Sequence, residues 1–266
     1  MRFIEQYCLI PEGAQVGQPI KLMKFHKHFI PDLFDNPHGT SCAYLSIARK
    51  NGKSALIAAV MLAHLVGPEA KQNSQIISGA RSRDKASLVY KLAAKMIRLS
   101  PELSKIVRIV PSQKMLNGLI CNVEYKALCS PRGTGHGLSP CMALLDEVGQ
   151  VRGPQDAFIE AIETAQVAHD DSLLIAISTQ AATDGDLFSI WLDDAAHAKD
   201  QWIISHLYTA PKDCQILDKK AWKVANPALG KFRSVQDIKD FAQQADRLPA
   251  KANSFRWVFL NQRIEA

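Results

Sequence analysis

The sequence predicts an α/β fold in which a mostly parallel β-sheet is sandwiched by helices. Short apolar segments alternate with helical patterns of about 10–17 residues, which is typical of parallel strands joined by crossover helices. Two apolar segments, Cys141–Leu145 and Ser172–Ile177, are continuous, as expected for strands that are buried on both faces. The strand-like pattern stops after Tyr208, so the remainder is predicted to be a small helical region.

Each predicted element is bounded by a change of pattern or by a turn signal. The first strand alternates into an apolar run, and a Gly-Lys-Ser turn then leads into a long apolar helix. Strands are predicted at residues 41–47, 75–78, 106–110, 118–129, 141–145, 172–177 and 202–208, and the segments 106–110 and 118–129 could form a short hairpin plus a core strand. Helices are predicted at residues 54–66, 82–99, 153–164, 234–246 and 250–264, the third of them introduced by Gly153-Pro154. This order predicts a core at residues 1–210, including an N-terminal segment 1–38, and a helical lid or linker subdomain at residues 211–266.

The composition excludes disordered and fibrous proteins and indicates an uneven charge. The chain of 266 residues is 47% hydrophobic and 22% charged, which is ordinary for a globular protein. Residues 1–133 carry 19 Lys and Arg against 8 Asp and Glu, whereas residues 134–266 carry 13 against 18. A basic first half is compatible with binding a polyanion such as DNA or a nucleotide, and equally with solvated helix faces.

Neither a membrane span nor a signal peptide is predicted. The longest strongly apolar stretch, Ala55–Val66, is shorter than the about 20 residues that a membrane-crossing helix needs. The N-terminus lacks a sustained apolar segment followed by a small-residue cleavage site.

A segment typical of a phosphate-binding loop, Arg49-Lys50-Asn51-Gly52-Lys53-Ser54, lies between the first predicted strand and helix. In such loops backbone N–H groups converge on an anion at a helix N-terminus, where the helix dipole is positive. Gly52 allows close approach of the backbone, Lys53 is expected to reach the β- and γ-phosphates, and Ser54 to bind Mg²⁺. Ile47 replaces the usual leading glycine, so an ordinary turn with a capping serine is the alternative.

A second motif ends the apolar strand 141–145 with two acidic residues, Asp146 and Glu147. In this arrangement the aspartate holds Mg²⁺ and the glutamate polarises the attacking water as general base. Two solvated acids at a strand end are the alternative, but their position after Lys53 and an intervening strand favours a functional role. A glutamate here also argues against small-molecule kinases, which must avoid activating water. Together the motifs predict an ATP-hydrolysing P-loop NTPase of the RecA/ASCE-like type.

Three further candidates depend on these two motifs. Ser178, Thr179 and Gln180 end the next buried strand, and polar groups at that edge are expected to face the γ-phosphate. Arg132, in a glycine-rich loop, is a candidate arginine finger supplied to a neighbouring subunit. Arg49 is the competing candidate and would act within its own subunit.

The motifs RKNGKS, ALLDE and STQ resemble those of the large terminase subunit of tailed bacteriophages. A later W-x-x-A-N-P-x-L-G segment at residues 222–230 and FRWVFLNQR at residues 255–263 are also similar to this family. The resemblance covers nearly the whole chain and is closest to the branch found in phages with HK97-type capsids. Its most specific parts are the unusual loop ARKNGKS and the Asn-Pro-x-Leu-Gly segment.

The resemblance implies an N-terminal ATPase that translocates double-stranded DNA into a procapsid. It identifies Lys53 and Ser54 as the Walker A pair, Asp146 and Glu147 as the Walker B pair, and residues 178–180 as the coupling motif. ATP and Mg²⁺ are the implied ligands, and contact with DNA is expected to be to phosphates, independent of sequence.

The resemblance also places an adenine-contacting segment at Lys24-Phe25-His26. His26 stands where the family has glutamine, although imidazole can also donate and accept a hydrogen bond. The alternative is that these are surface residues of an amphipathic helix.

The implied partners are the portal protein and the small terminase subunit. The implied active form is a homo-oligomeric ring, a pentamer, and the isolated chain could be a monomer. The implied location is the host bacterial cytoplasm, at the portal vertex of the procapsid. Because a nuclease domain follows the ATPase in this family, we expect no nuclease activity within these residues. Another P-loop translocase, such as a two-domain helicase, and a non-catalytic DNA-binding or scaffold remnant are the rival predictions.

Overall fold

The computed structural model describes residues 1–80, 83–128, 138–198 and 200–264, with the backbone alone at residues 83–86. The strands are β1 (Cys42–Ile47), β2 (Gln75–Gly79), β3 (Val107–Val110), β4 (Met115–Gly118), β5 (Val123–Leu128), β6 (Pro140–Asp146), β7 (Leu173–Ser178) and β8 (Ile203–Tyr208). The helices are α1 (Arg2–Tyr7), α2 (Lys24–Phe34), α3 (Lys53–Val66), α4 (Arg83–Leu99), α5 (Pro101–Ile106), α6 (Ala157–Gln166), α7 (Leu187–His197), α8 (Lys219–Ala225), α9 (Val235–Arg247) and α10 (Pro249–Phe259).

The strands form one eight-stranded sheet in the order β3-β4-β5-β2-β6-β7-β1-β8. Strand β2 pairs in parallel with both β5 and β6, as predicted for strands joined by crossover helices. The α/β fold class that the sequence predicts is therefore confirmed. One edge is antiparallel, because β3, β4 and β5 form a meander of short strands.

Several element ends differ from the prediction for local reasons. The helix expected from Gly153-Pro154 begins only at Ala157, and a bend precedes it. The helix expected to reach residue 264 ends at Phe259, because Asn261 adopts a left-handed backbone conformation (φ 54°) that a helix does not continue through. The sequence analysis did not predict α7 or the helices α1, α5 and α8, which have only six or seven residues each.

The chain forms two compact units, which alternate along the sequence. The first unit comprises residues 1–42, 54–146 and 157–175. Its helix α3 is buried continuously from Leu56 to Val66, and a helix that is apolar on all sides is typical of a protein interior. Strand β4 packs so closely on this helix that a Cβ atom added to Gly118 would lie 2.3 Å from the carbonyl oxygen of Leu65.

The second unit comprises residues 43–53, 147–156 and 176–266. Its core surrounds Trp222, which is almost fully buried and donates from its indole nitrogen to the carbonyl oxygen of Ile216. The other buried core residues come from α8, α9 and α10 and from the segments that follow β1, β8 and α10: Ala48, Ala210, Ala221, Ala225, Ile238, Ala242, Ala245, Phe255 and Leu260. The small side chains allow these short helices to pack closely. No helix among the residues described above is both long and apolar enough to cross a membrane.

The approach of β4 to α3 predicts that Gly118→Ala lowers the free energy of unfolding by about 1–3 kcal/mol, since the methyl group must displace backbone atoms. Chemical denaturation measures this value. Gly185→Ala is the matched control, because its added Cβ has no atom within 4 Å. Equal stability of the two variants would contradict the packing described for Gly118.

Candidate nucleotide-binding site

The predicted phosphate-binding loop connects β1 to α3. Its residues Lys50 and Gly52 both adopt left-handed backbone conformations, with φ values of 66° and 80°. The glycine allows this conformation without strain, and a Cβ atom there would also lie 3.1 Å from the ring of Phe232. Helix α3 begins directly at Lys53, so the N-terminus of a long helix follows the loop.

The side chains of Lys53 and Ser54 have different partners. The ammonium group of Lys53 donates to the carbonyl oxygens of Ile47 and Ala48, at 2.6 and 3.2 Å. The hydroxyl group of Ser54 donates to Oδ2 of Asp146 at 3.0 Å. Because Asp146 ends β6, this hydrogen bond joins the predicted loop to the predicted acidic strand end, 92 residues apart in the sequence.

Glu147 begins a tight turn after β6 and also has a left-handed backbone, with a φ of 61°. This conformation is uncommon for a glutamate and is found mainly at functional sites and turns. The backbone N–H of Glu147 donates to the carbonyl oxygen of Ile177, at 2.8 Å. Two residues later, the N–H of Gly149 donates to Oγ of Ser178 at 2.9 Å. The turn after β6 is therefore attached to the end of β7.

The segment Ser178–Gln180 is buried and is attached to residues 261–263 that follow α10. The side-chain oxygen of Asn261 accepts from the N–H of Gln180 at 2.8 Å, and its nitrogen donates to Oγ of Ser46 in β1, at 3.0 Å. The guanidinium group of Arg263 donates to the side-chain oxygen of Gln180 at 3.0 Å. Asn261 and Arg263 were not predicted as site residues, because the contacts span 81 and 83 positions in the sequence.

A buried pair of side-chain amides, those of Asn51 and Asn226, holds the phosphate-binding loop. The side-chain nitrogen of Asn51 donates to the side-chain oxygen of Asn226 at 2.9 Å, and its oxygen accepts from the N–H of Ala228 at 3.2 Å. Asn226 also donates to the carbonyl oxygens of Trp222 and Phe259. The Asn-Pro segment that carries part of the family resemblance thus contacts the loop directly. The only signal for this in the sequence was that resemblance.

Of the two arginine-finger candidates, the structure describes Arg49 alone. Arg132 lies outside the described residues. The guanidinium group of Arg49 is exposed and lies 5.8 Å from the ring centroid of Trp257, a distance typical of a cation–π contact.

The predicted adenine-side residues Phe25 and His26 lie at the start of α2 in the first unit, and both are buried. The Nδ1 atom of His26 accepts from the N–H of Met23 at 3.1 Å, so Nε2 carries the proton of the neutral ring. Burial lowers the pKa of His26 to about 4, so the ring is neutral at pH 7. Its Nε2 is buried and has no hydrogen-bond partner among the described residues.

Comparison with known proteins identifies the family of the chain. The family model described as the ATPase domain of the terminase large subunit matches residues 24–192. The chain belongs to the family of large terminase subunit ATPase domains. It is also 59% identical over 262 residues to the terminase large subunit of Enterobacteria phage HK97, matching 98% of this chain and 52% of that protein. The chain thus spans about half the length of this curated relative.

Solved structures of large terminases have the same fold. The crystal structure of the HK97 bacteriophage large terminase superposes with a TM-score of 0.94 at 58% identity, over 98% of this chain and 54% of that one. The ATPase domain of the large terminase of Thermus phage P74-26 gives a TM-score of 0.64 at 13% identity, over 90% and 94% of the two chains. The large terminase of another thermophilic bacteriophage, in complex with ADP, gives 0.54 at 11% identity, over 79% of this chain and 51% of that one. The last two structures, at 13% and 11% identity, show similarity of the fold alone.

The amide pair predicts that Asn51→Ala and Asn226→Ala each destabilise the protein and that their effects are not additive. Each substitution leaves a buried polar partner unsatisfied, which costs about 1–3 kcal/mol, and the double variant should lose about 1 kcal/mol less than the two together. Denaturation of the four proteins of this cycle measures the coupling. The exposed pair Asn73 and Asn122, 2.9 Å apart, is the control and should show negligible coupling. Additive effects at positions 51 and 226 would contradict the assigned pair.

Proposed function

We propose that this chain is the ATP-hydrolysing motor region of a phage large terminase and drives double-stranded DNA into a procapsid. The observation that supports this most directly is the hydrogen bond between Ser54 and Asp146. It joins the two segments that nucleotide hydrolysis requires, a phosphate-binding loop and an acidic strand end. The match to the family of terminase ATPase domains supports the proposal as well. Each of the roles below is part of this proposal.

The loop Arg49–Ser54 binds the triphosphate of ATP. Its backbone N–H groups and the N-terminus of α3 stabilise the negative charge, and Lys53 exchanges its carbonyl partners for the β- and γ-phosphates. Ser54 and Asp146 would hold Mg²⁺, since a hydroxyl and a carboxylate oxygen already 3.0 Å apart are the hard donors that this ion prefers. The ion supplies neutralisation of the charge that develops on the phosphates.

Glu147 acts as the general base towards the attacking water. The turn that carries it is attached to β7 through Ile177 and Ser178, which fixes the direction of its backbone. Positive charge from Arg132 of a neighbouring subunit, or from Arg49 of the same subunit, stabilises the transition state.

Phe25 and His26 form the adenine side of the site. The buried Nε2–H donor of His26 is suited to an acceptor nitrogen of the base, which would satisfy it. A relative in the fold comparison was solved in complex with ADP, which is consistent with a nucleotide as the ligand of this fold.

Residues Ser178, Thr179 and Gln180 transmit the state of the γ-phosphate. Their attachment to Asn261 and Arg263 gives a physical route from the nucleotide to the segment after α10. Motion follows only if the ATP and ADP states differ in these contacts.

The motor acts as a homo-oligomeric ring, a pentamer, with the portal protein and the small terminase subunit at the portal vertex in the host cytoplasm. Contacts to DNA are to phosphates, since a packaging motor must pass any sequence. Phosphate release by the purified chain, with and without duplex DNA, tests the proposed activity. DNA-stimulated release is expected, and a chain that binds no nucleotide would contradict it.

The general-base role predicts that Glu147→Gln retains ATP but loses turnover by about 10²–10⁴-fold, because proton transfer from water is lost while the phosphate contacts remain. Binding titration and phosphate release measure the two effects separately. Lys53→Ala is the matched comparison, with ATP binding weakened by about tenfold or more. Normal turnover in Glu147→Gln would remove the assignment.

The finger in trans predicts complementation between subunits. Rings of Arg132→Ala alone, or of Lys53→Ala alone, should be inactive, whereas mixed rings should recover part of the activity, because an intact loop then faces an intact Arg132. Mixtures of Arg49→Ala with Lys53→Ala test the alternative in cis. They should not recover activity, since each change disables the nucleotide site of the subunit that carries it. ATP hydrolysis measured over a range of mixing ratios decides between them, and absence of recovery with Arg132→Ala at every ratio counts against the trans finger.

A further inference from the structure

Arg233 is a buried arginine in the turn between α8 and α9 of the second unit, and only 7% of its surface is exposed. Its Nη1 atom donates to the carbonyl oxygen of Arg49, the first residue of the phosphate-binding loop. Its guanidinium carbon lies 5.3 Å from the ring centroid of Phe259. Its Nε atom is buried and has no hydrogen-bond partner in the described ranges of the chain.

The charge of Arg233 has no counter-ion within the part of the chain that the structure describes. No carboxylate there lies within ion-pair distance of its guanidinium group, and Asp237 acts on it only from further away. Burial lowers the pKa of Arg233 to about 10, so the group keeps its proton at neutral pH. A buried cation without an opposite charge beside it is costly, because its desolvation is not offset.

A second arginine of the same unit, Arg263, has acidic partners and serves as a comparison. Arg263 is also largely buried, and it contacts Asp184 at 2.8 Å and Asp193 at 2.6 Å. These partners raise the pKa of Arg263, and its hydrogen bonds lower the pKa of Asp193. Arg263 therefore has two acidic partners. Arg233, beside the phosphate-binding loop, has none among the described residues.

A third arginine, Arg49, begins that loop, and its carbonyl group accepts the hydrogen bond from Arg233. Each guanidinium group lies against an aromatic ring of α10, that of Arg49 on Trp257 and that of Arg233 on Phe259. The loop therefore begins beside two positively charged residues, which favours an anion there.

We propose that Arg233 is a phosphate-binding residue of the nucleotide site and that the triphosphate is its counter-ion. This inference rests on the proposed function and adds a cation from the helical region to Lys53 and the two finger candidates. Residues 226–233, which we name the strap, keep this cation in place. Ala228 donates to Asn51, and Phe232 packs on Gly52, so the strap and the loop are held together.

The inference has a consequence for stability that a purely structural role would not have. Without nucleotide, the unpaired charge of Arg233 destabilises the fold, so a neutral side chain of similar length should be tolerated. With nucleotide, the same charge contributes to binding, so the neutral side chain should cost affinity.

The test compares Arg233→Met, Arg233→Lys and the control Arg247→Met, which removes the same charge from an exposed position at the end of α9. For each protein, the melting temperature is measured without ligand, with ATP and Mg²⁺, and with inorganic tripolyphosphate, and the Kd for ATP is measured by titration. Arg233→Met should melt at or above the wild-type temperature and bind ATP and tripolyphosphate about tenfold or more weakly. Arg233→Lys should bind more tightly than Arg233→Met, and Arg247→Met should behave as the wild type.

Two results would overturn the inference: Arg233→Met fails to fold or melts several degrees lower, or it binds ATP within twofold of the wild type. Either would make Arg233 a structural residue that holds the Arg49 carbonyl group. A wild-type chain that binds neither ATP nor tripolyphosphate is a different result, since it contradicts the proposed function itself.

Discussion

The hydrogen bond from Ser54 to Asp146 is the contact on which the arrangement of the candidate site depends. It brings the N-terminus of α3 to the end of β6, and these two segments carry Lys53 and Glu147 as their direct neighbours in the chain. A buried carboxylate is stable only when it is hydrogen-bonded, and the hydroxyl group of Ser54 is one partner of Asp146. The same two oxygen atoms are the donors that a magnesium ion would require.

Within the second unit, buried amide groups hold residues 49–53 of the phosphate-binding loop, and a guanidinium group contacts them. Asn51 is joined to Asn226, and the carbonyl group of Arg49 accepts from Arg233. The usual leading glycine is Ile47 here, so the loop obtains part of its shape from contacts outside itself. Residues that lie far along the chain therefore decide the form of the loop. The amide contacts among them are satisfied hydrogen bonds inside a core, which favours a rigid loop.

Asn261 has a corresponding role at the end of β7. It is fully buried and bonds to Gln180, Ser46 and the carbonyl group of Tyr208, so one side chain connects three strand ends. A displacement of Gln180 must therefore change the environment of the segment that follows α10.

The sequence by itself determined the fold class, the main strands and the two motifs. Strand β6 and helix α3 are long or continuously apolar, and the loop with Lys53 lies between a strand and a helix, so local patterns were sufficient. Only the tertiary structure decided where the antiparallel edge forms, because β4 (Met115–Gly118) has four residues and lies mostly outside the segments 106–110 and 118–129 that the sequence indicated. It also decided that Arg233 contacts the loop, 184 positions away, because such contacts follow from the path of the chain and leave no periodic trace in the sequence.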